Sequence, residues 1–473
     1  MMNNWTLRFI LLSLSPLLLC TPAVVNAQWE PDVRLTFNNR ESNTVESVQC
    51  VASVPGGNVY AVWFDTRDLN NEIYFKRSTD WGVTWTPDTR LTYQDRNSLF
   101  PAIAATGSDI HVVWEDERDN LKREIYYKRS TDSGVTWSQD TRLTYNDSID
   151  CYPNIYVLNA NVHVIWTATP AGKPEVYHKR STDRGLTWTP EARLSNLPGE
   201  SWATSLSLSG TTAHLIFHNY LNNNWEVYYR RSSDGGTSWS SERRLSDSLN
   251  YSWYPSIAGA GSNLFLAWGD QRDGNDEIYF KRSSDLGVSW SPDTRLTADS
   301  ASSEQPCIAG SGNNVHVVWI DSRDGNYEIY YKRSTDAGAT WSSDTRLTNA
   351  PLNSWWASIS AADSVVHVLW TDYRDGNYEI YYKRNPTGNL GVEELSSSRL
   401  IPYASRLTVS PNPFTSFALV PGHSPERFAL YDISGRLVGT YRGARIGEGL
   451  APGVYFIRAL EGKAGLARVV KVR

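Results

Sequence analysis

Cysteine is scarce in this sequence. Of four in 473 residues, Cys20 falls in an N-terminal apolar run, and Cys50, Cys151 and Cys307 stand far apart with no Cys-x-x-Cys. That set is too small and too dispersed for a disulfide scaffold or a structural zinc site, so the three read as buried small residues. An excess of positive charge is missing as well. The formal net charge is -6 and the pI is near 5.8, which removes the clustered Lys and Arg that a phosphate backbone requires and makes nucleic acid an unexpected partner. Beyond the N-terminus no stretch approaches the ~18 apolar residues of a spanning helix, so no transmembrane segment is expected in the mature chain.

The N-terminal run, Phe9 to Cys20, follows Arg8 and precedes Thr21-Pro-Ala-Val-Val-Asn-Ala27. This is the order of a secretory signal peptide with a small-residue cleavage site after Ala27, so residues 1–27 are expected to be removed on export. Leu19 stands where a lipobox wants a small residue, which argues against a lipid anchor on Cys20.

Aromatic residues are abundant, with 20 Trp and 26 Tyr, and they lie in a repeat. The pattern Ser-x-Asp-x-Gly-x-[Thr/Ser]-Trp, an Asp box, recurs from Ser78 to Trp85, Ser130 to Trp137, Ser181 to Trp188, Ser232 to Trp239, Ser283 to Trp290 and Ser334 to Trp341, at a spacing of 51 or 52 residues. A second aromatic register, Trp63, Trp114, Trp166, Phe217, Trp268, Trp319 and Trp370, makes the unit count seven. Alternating β-branched, aromatic and polar residues between Gly-containing turns predict four short strands per unit. In the sixth unit these run from Pro306 to Ala309, Val315 to Trp319, Glu328 to Ser334 and Thr345 to Thr348. About 50 residues per four strands is the spacing of a β-propeller.

The seventh unit stops after Glu379-Ile-Tyr-Tyr-Lys-Arg384, without an outer strand. Trp29-Glu-Pro-Asp-Val-Arg-Leu-Thr36 matches Trp85-Thr-Pro-Asp-Thr-Arg-Leu-Thr92 position for position. The expected fold is therefore all-β: a seven-bladed propeller over residues 28–388, closed by its N-terminal strand, which leaves no edge open to aggregation. A Ser-rich linker (389–406) leads to residues 407–473, whose short strands between Gly and Pro turns predict a small immunoglobulin-like β-sandwich.

Residues that recur in every unit are most simply explained by the unit itself. Asp80, Asp132, Asp183, Asp234, Asp285 and Asp336 occupy the Asp-box turns, where a short carboxylate accepts backbone N–H groups. His111, His163, His214, His316 and His367 fill one strand register and read as scaffold, not a metal cluster. The Asp-x-Arg-Asp-Gly-Asn-x-Glu loops, as from Asp321 to Glu328, are first hairpin turns, with calcium as the alternative. Their arginines, Arg67, Arg118, Arg272, Arg323 and Arg374, either bridge one blade to the next, the favoured reading, or ring an opening where a substrate carboxylate is gripped bidentately.

The positions before each inner strand differ. Phe100, Tyr152, Trp202, Tyr254, Gln305 and Trp356 recur by type without being identical, and Trp253 and Trp355 double two of them. They are expected in loops on the face opposite the Asp boxes. Aromatic faces at a concave mouth suit the C–H faces of sugar rings, so Phe100, Tyr152, Trp202, Trp253, Tyr254, Trp355 and Trp356 are candidate glycan ligands, with packing of the channel mouth as the alternative. Units three and four depart most, with Thr167-Ala-Thr-Pro-Ala-Gly-Lys-Pro174 and Asn219-Tyr-Leu-Asn-Asn-Asn-Trp225 replacing the common loop, and a single asymmetric site is expected on that side.

Across residues 29 to 388 the Asp boxes and strand pattern resemble the sialidase superfamily of BNR-repeat proteins. An exo-sialidase of that kind needs an arginine triad, an Asp acid/base and a Tyr nucleophile with a Glu partner. No such set is identifiable here, the Phe-Arg-Ile-Pro phrase is absent, those enzymes have six blades, and every candidate Arg belongs to a repeat register. The resemblance implies fold before activity. Ser410-Pro-Asn-Pro413, Tyr431-Asp-Ile-Ser-Gly-Arg436 and Gly453-Val-Tyr-Phe-Ile-Arg458 together resemble a type A C-terminal sorting domain of the type IX secretion system. That implies the secretion machinery as a partner, then release or attachment at the outer cell surface. The leading functional expectation is a secreted or surface glycan-binding propeller. A glycoside hydrolase or polysaccharide lyase and a protein-binding scaffold are the alternatives.

Overall fold

The computed structural model describes residues 29–45, 48–119, 122–386 and, near the C-terminus, 415–419, 427–432, 437–442, 445–459 and 466–471. The expected signal peptide, the linker 389–406 and the Ser-Pro-Asn-Pro phrase lie outside the described residues. The chain divides into two compact units, Met1–Glu393 and Glu394–Arg473.

In the first unit the described residues form seven antiparallel sheets. Their second strands are Val59–Asp65, Asp109–Asp116, Asn161–Ala168, Thr212–Leu221, Asn263–Asp270, Asn314–Asp321 and Val365–Asp372, which define blades one to seven. The innermost strand of each blade touches that of the next, and the strand Ser354–Ala362 of blade seven returns to Val51–Ser53 of blade one. Every blade is thus covered on both faces. This explains why second strands such as Asn314–Asp321 read as nearly continuous apolar runs and are buried from Val315 to Asp321.

Inner strands are longer than the pattern predicts. In blade six the strand is Ser303–Ser311, extending upstream of Pro306 through a register break between Glu304 and Cys307. Proline carries no N–H for the ladder, and a β-bulge is where a strand tolerates one.

The N-terminal segment supplies the outer strand of blade seven. Val33–Arg34 pairs antiparallel with Glu379–Asn385, Val33 opposite Tyr382 and Arg34 opposite Tyr381. Arg34 and Thr36 reach buried Glu379 as Arg90 and Thr92 reach Glu72 within blade one.

One seam recurs around the circle. Trp85, Trp137, Trp188, Trp239, Trp290 and Trp341 each set an edge against a ring in the third strand of the preceding blade: Tyr382, Phe75, Tyr127, His178, Tyr229 and Phe280. Trp29 makes the seventh such contact, with Tyr331, at 4.9 Å and 81°. Beside the seam, third-strand arginines donate to carbonyls of the following Asp-box turn, as Arg77 to Ser133 (2.9 Å) and Arg384 to Trp81 (3.0 Å). The turn glycines make room for this. Gly185 has a φ of +78°, and a Cβ there would stand 1.9 Å from the Tyr127 hydroxyl.

Arg67, Arg118, Arg272, Arg323 and Arg374 do not bridge blades, contrary to the favoured expectation. Arg118 binds Asp116 two residues earlier and Asp140 at the outer strand of its own blade, with its guanidinium 4.2 Å above the Tyr126 ring. The same arrangement holds for Arg67, Arg272, Arg323 and Arg374, the last using Asp32 of the N-terminal segment. The hairpin folds each side chain back over its own sheet. Blade-to-blade bonding falls instead to the Arg77 and Arg384 register.

Blade three lacks this arginine. Its carboxylate sits on the inner strand as Asp150, accepting from Trp166 Nε1 (3.2 Å), Ser148 Oγ (3.0 Å) and Asn146 Nδ2 (3.1 Å). Burial, with the charges of Glu124 and Glu191 adding to it, pushes the Asp150 carboxyl up to about 7. Blade four carries the neutral counterpart, Asn219, bonded to Ser201.

In the second unit, Arg427–Asp432, Leu437–Arg442, Gly453–Ala459 and Leu466–Lys471 form a four-stranded antiparallel sheet, and Ala418–Leu419 pairs with Arg445–Ile446. Phe428, Leu430, Tyr455 and Ile457 are buried there.

Two outcomes are expected. Folded Asp150 holds its proton more tightly than the unfolded chain, so its contribution is complete below about pH 4 and is lost as pH rises through about 7. Asp150→Asn should leave the thermal midpoint unchanged near pH 4 and stabilise the protein by roughly 2–4 kcal/mol above pH 7; equal shifts at both pH values would refute this. Trp29→Ala and Trp85→Ala should each destabilise by roughly 2–4 kcal/mol in denaturant unfolding. A Trp29 variant with the wild-type midpoint would show that the seventh seam is not needed.

Candidate functional site

The variable aromatic residues lie within the inner strands, not in the loops before them. Phe100, Tyr152, Tyr254, Gln305 and Trp356 occupy the bulge in their strands, with φ between +47° and +52°. A left-handed backbone costs a residue with a Cβ roughly 1–2 kcal/mol, and the bulge re-aims the side chain out of the strand's alternation. Trp202 differs. It keeps regular pairing with His218, and the register of blade four breaks between Ala203 and Ser205.

These rings form two groups. Phe64, Phe100, Tyr152 and Trp202 pack in sequence across blades one to four, with centroids 5.8, 5.2 and 5.8 Å apart. Trp355 packs on Tyr327 at 4.5 Å and touches Trp356 in blades six and seven. Between Trp202 and the Trp253–Tyr254 pair of blade five lies a cavity of about 270 Å3. Tyr152, Trp202, Trp253 and Tyr254 line it, together with Thr204, Trp225, His218 and, from blade one, Val48. Phe100 stands behind Tyr152, while Trp355 and Trp356 are not part of the lining.

Trp225 ends the segment of blade four whose departure from the repeat points to an asymmetric site on that side, but neither it nor His218 is singled out in the sequence as a site residue, although a signal is present. The position after the second-strand aromatic reads Phe64, Glu115, Thr167, His218, Gly269, Ile320 and Thr371, and the position before the third-strand Glu reads Asn71, Arg123, Pro174, Trp225, Asp276, Tyr327 and Tyr378. These registers vary in both size and charge within otherwise regular strands. His218 and Trp225 pack edge to face at 4.7 Å.

The His218 tautomer is set by the backbone. Tyr254 N–H donates to Nδ1 (3.3 Å), so the neutral ring carries its proton on Nε2. Burial lowers the His218 pKa to about 3, which keeps the ring neutral. Among the described residues no hydrogen bond is made by His218 Nε2 or Trp225 Nε1, and Trp202 Nε1 is buried without a partner. Two acids lie behind the walls. Glu115 accepts from Tyr152 N–H (2.6 Å), burial pushing it up to about 7, and Asp276 accepts from Trp253 Nε1 (3.1 Å) with its pKa also raised by burial.

Other candidates are occupied structurally. In the Asp boxes, Asp132 accepts from Ser130 Oγ, from the N–H groups of Val135 and Thr136, and from Thr136 Oγ1, which holds its carboxyl down at about 2. Asp80, Asp183, Asp234, Asp285 and Asp336 make equivalent bonds. His111, His214, His316 and His367 bond Tyr hydroxyls at 2.6–2.8 Å, and His163 meets His178. In the Asp-x-Arg-Asp-Gly-Asn loops the carboxylates meet arginine, tyrosine and asparagine donors, as Asp321 with Arg323, Asp324 with Tyr330 and Glu328 with Asn326. Among the described residues no group of three or more His, Cys, Asp or Glu is placed to hold a metal ion.

Several known proteins share this architecture. An ulvan lyase of polysaccharide lyase family PL25 superposes with a TM-score of 0.53 at 12% identity, covering 74% of this chain and 95% of that one. The polysaccharide lyase Uly1 gives 0.52 at 10% identity, covering 76% and 100%. At such identities the likeness shows the fold alone. In sequence, 145 residues are 29% identical to the xyloglucanase Xgh74A of Acetivibrio thermocellus, a stretch of 29% of this chain and 16% of that relative's length. The BNR repeat-like domain matches residues 25–266, just over half of the chain. The chain belongs to the BNR repeat-like domain family.

Proposed function

We propose that this protein is an exported propeller that binds glycans in the cavity between blades three, four and five. The observation that carries the reading is the convergence of three indoles and two phenol rings on one concavity, where among the described residues the Nε1–H of Trp202 is buried without a hydrogen-bond partner. Sugar rings offer C–H faces to π-surfaces and hydroxyl oxygens to donors, and few other water-soluble ligands match both. The naming of fold neighbours as polysaccharide lyases and of a sequence relative as a xyloglucanase agrees with carbohydrate as the ligand class. The N-terminal leader pattern and the three C-terminal phrases support export through the type IX machinery and display or release at the outer surface.

The test is a glycan array probed with the full chain, with released reducing ends and unsaturated uronate measured on the same samples. Trp202→Ala and Trp253→Ala should each weaken binding about tenfold or more, equivalent to ~1.4 kcal/mol. Trp355→Ala, outside the cavity, should bind as the wild type does. Turnover would assign an enzyme, and an array without signal would refute the carbohydrate reading.

A further inference from the structure

We infer that the cavity selects an uncharged glycosyl unit, stacked on its tryptophans and oriented by the Nε2–H of His218, and that it rejects sialate and uronate rings. This rests on the glycan reading above and narrows it to a substrate class.

Among the described residues the lining carries no formal charge. Its walls are Trp202, Trp225, Trp253, Tyr152 and Tyr254, and its side-chain donors are neutral N–H and O–H groups. A carboxylate entering this space leaves water and meets neither a guanidinium nor an ammonium group among the described lining residues, and burial of an unpaired charge is strongly unfavourable. The arginines best suited to gripping a carboxylate, Arg67, Arg118, Arg272, Arg323 and Arg374, are each held by two aspartates of the propeller.

The surroundings reinforce the selection. Glu115 sits behind the Tyr152 backbone and Asp276 behind the Trp253 indole, so acids back two flanks of the cavity. The cation beside Glu115, Arg123, lies 3.4 Å from its Oε2 and 3.5 Å from Glu117, and is thereby shared between two carboxylates. Arg244, in the outer strand of blade four, is bound to Glu226 and Asp247.

His218 gives the site a direction. With Nδ1 engaged by the Tyr254 N–H, the ring presents only a donor, and Trp225 and Tyr254 hold it edge to face at 4.7 and 6.1 Å. A donor beside aromatic faces fits an unionised ring whose hydroxyl or ether oxygen accepts while its C–H face stacks.

The experiment uses oligosaccharide pairs that differ only by oxidation at C6, hexose against hexuronate, together with lactose against 3′-sialyllactose, titrated calorimetrically into the full chain. The neutral member of at least one pair should bind ten or more times tighter than its acidic counterpart. His218→Asn, whose amide oxygen can accept from the Tyr254 N–H but whose NH2 stops short of the Nε2 position, should weaken that binding at least fivefold, and His218→Gln, whose longer side chain carries an N–H donor to that position, should restore most of it. Trp225→Phe provides a second donor deletion if His218→Asn lowers the thermal midpoint. Equal or tighter binding of the acidic members would overturn the inference while leaving the glycan reading intact. Absence of binding to any carbohydrate, including the array, would remove both.

Discussion

Seven edge-to-face ring contacts hold the circle together, each placing an indole against an aromatic or imidazole ring of the blade before it. They set the distance and angle between sheets, beside cross-blade hydrogen bonds such as Arg77 to Ser133 and Arg384 to Trp81. Such a pair contributes about 0.5–1.5 kcal/mol beyond its buried area. The Asp box makes it possible, because the serine and aspartate shape a turn whose glycine lets the backbone approach the neighbouring ring without a clash. The motif that marks the fold in sequence is thus the hinge pin of the interface between blades, and its strict spacing follows from a geometry that recurs at every seam.

With identical seams around the ring, function requires a place where identity fails. Blades three and four provide it. They lack the arginine that elsewhere locks the second strand to the outer strand, and blade four instead carries Asn219 to Trp225, which brings Trp225 beside His218. Two blades with looser internal ion pairing lie next to the cavity, and blade five completes it with Trp253 and Tyr254.

The architecture was legible because a repeat reports itself. The strand order, the Asp-box turns and the closure by Trp29 to Thr36 all follow from registers that can be laid over one another. The site was only partly legible. Tyr152, Trp202, Trp253 and Tyr254 stood out as aromatic variants at one position, but that position belongs to a bulged strand and not to a loop, since a proline that interrupts a ladder can be absorbed without ending the strand. The five loop arginines could not be placed from spacing, because their partners, such as Asp140 for Arg118, lie one strand pair away in the same blade. His218 escaped notice because it looked like one histidine among several that fill scaffold registers, although it sits four positions beyond that register, within the strand Thr212–Leu221.

The closure by Trp29 to Thr36 also orders events in time. The outer strand of blade seven is synthesised first and finds its partner last: Arg34 and Glu379 are separated by 345 positions in the chain. Until Glu379–Asn385 is present, the leading segment has no ladder to join, and the last blade keeps an unpaired edge until that segment returns. Loop closure over such a span grows only slowly in entropic cost with length, but it depends on both ends remaining uncommitted. A partly made or trimmed chain is therefore an open arc whose exposed edge is free to pair with another molecule, and the finished ring is the first state in which that risk is gone.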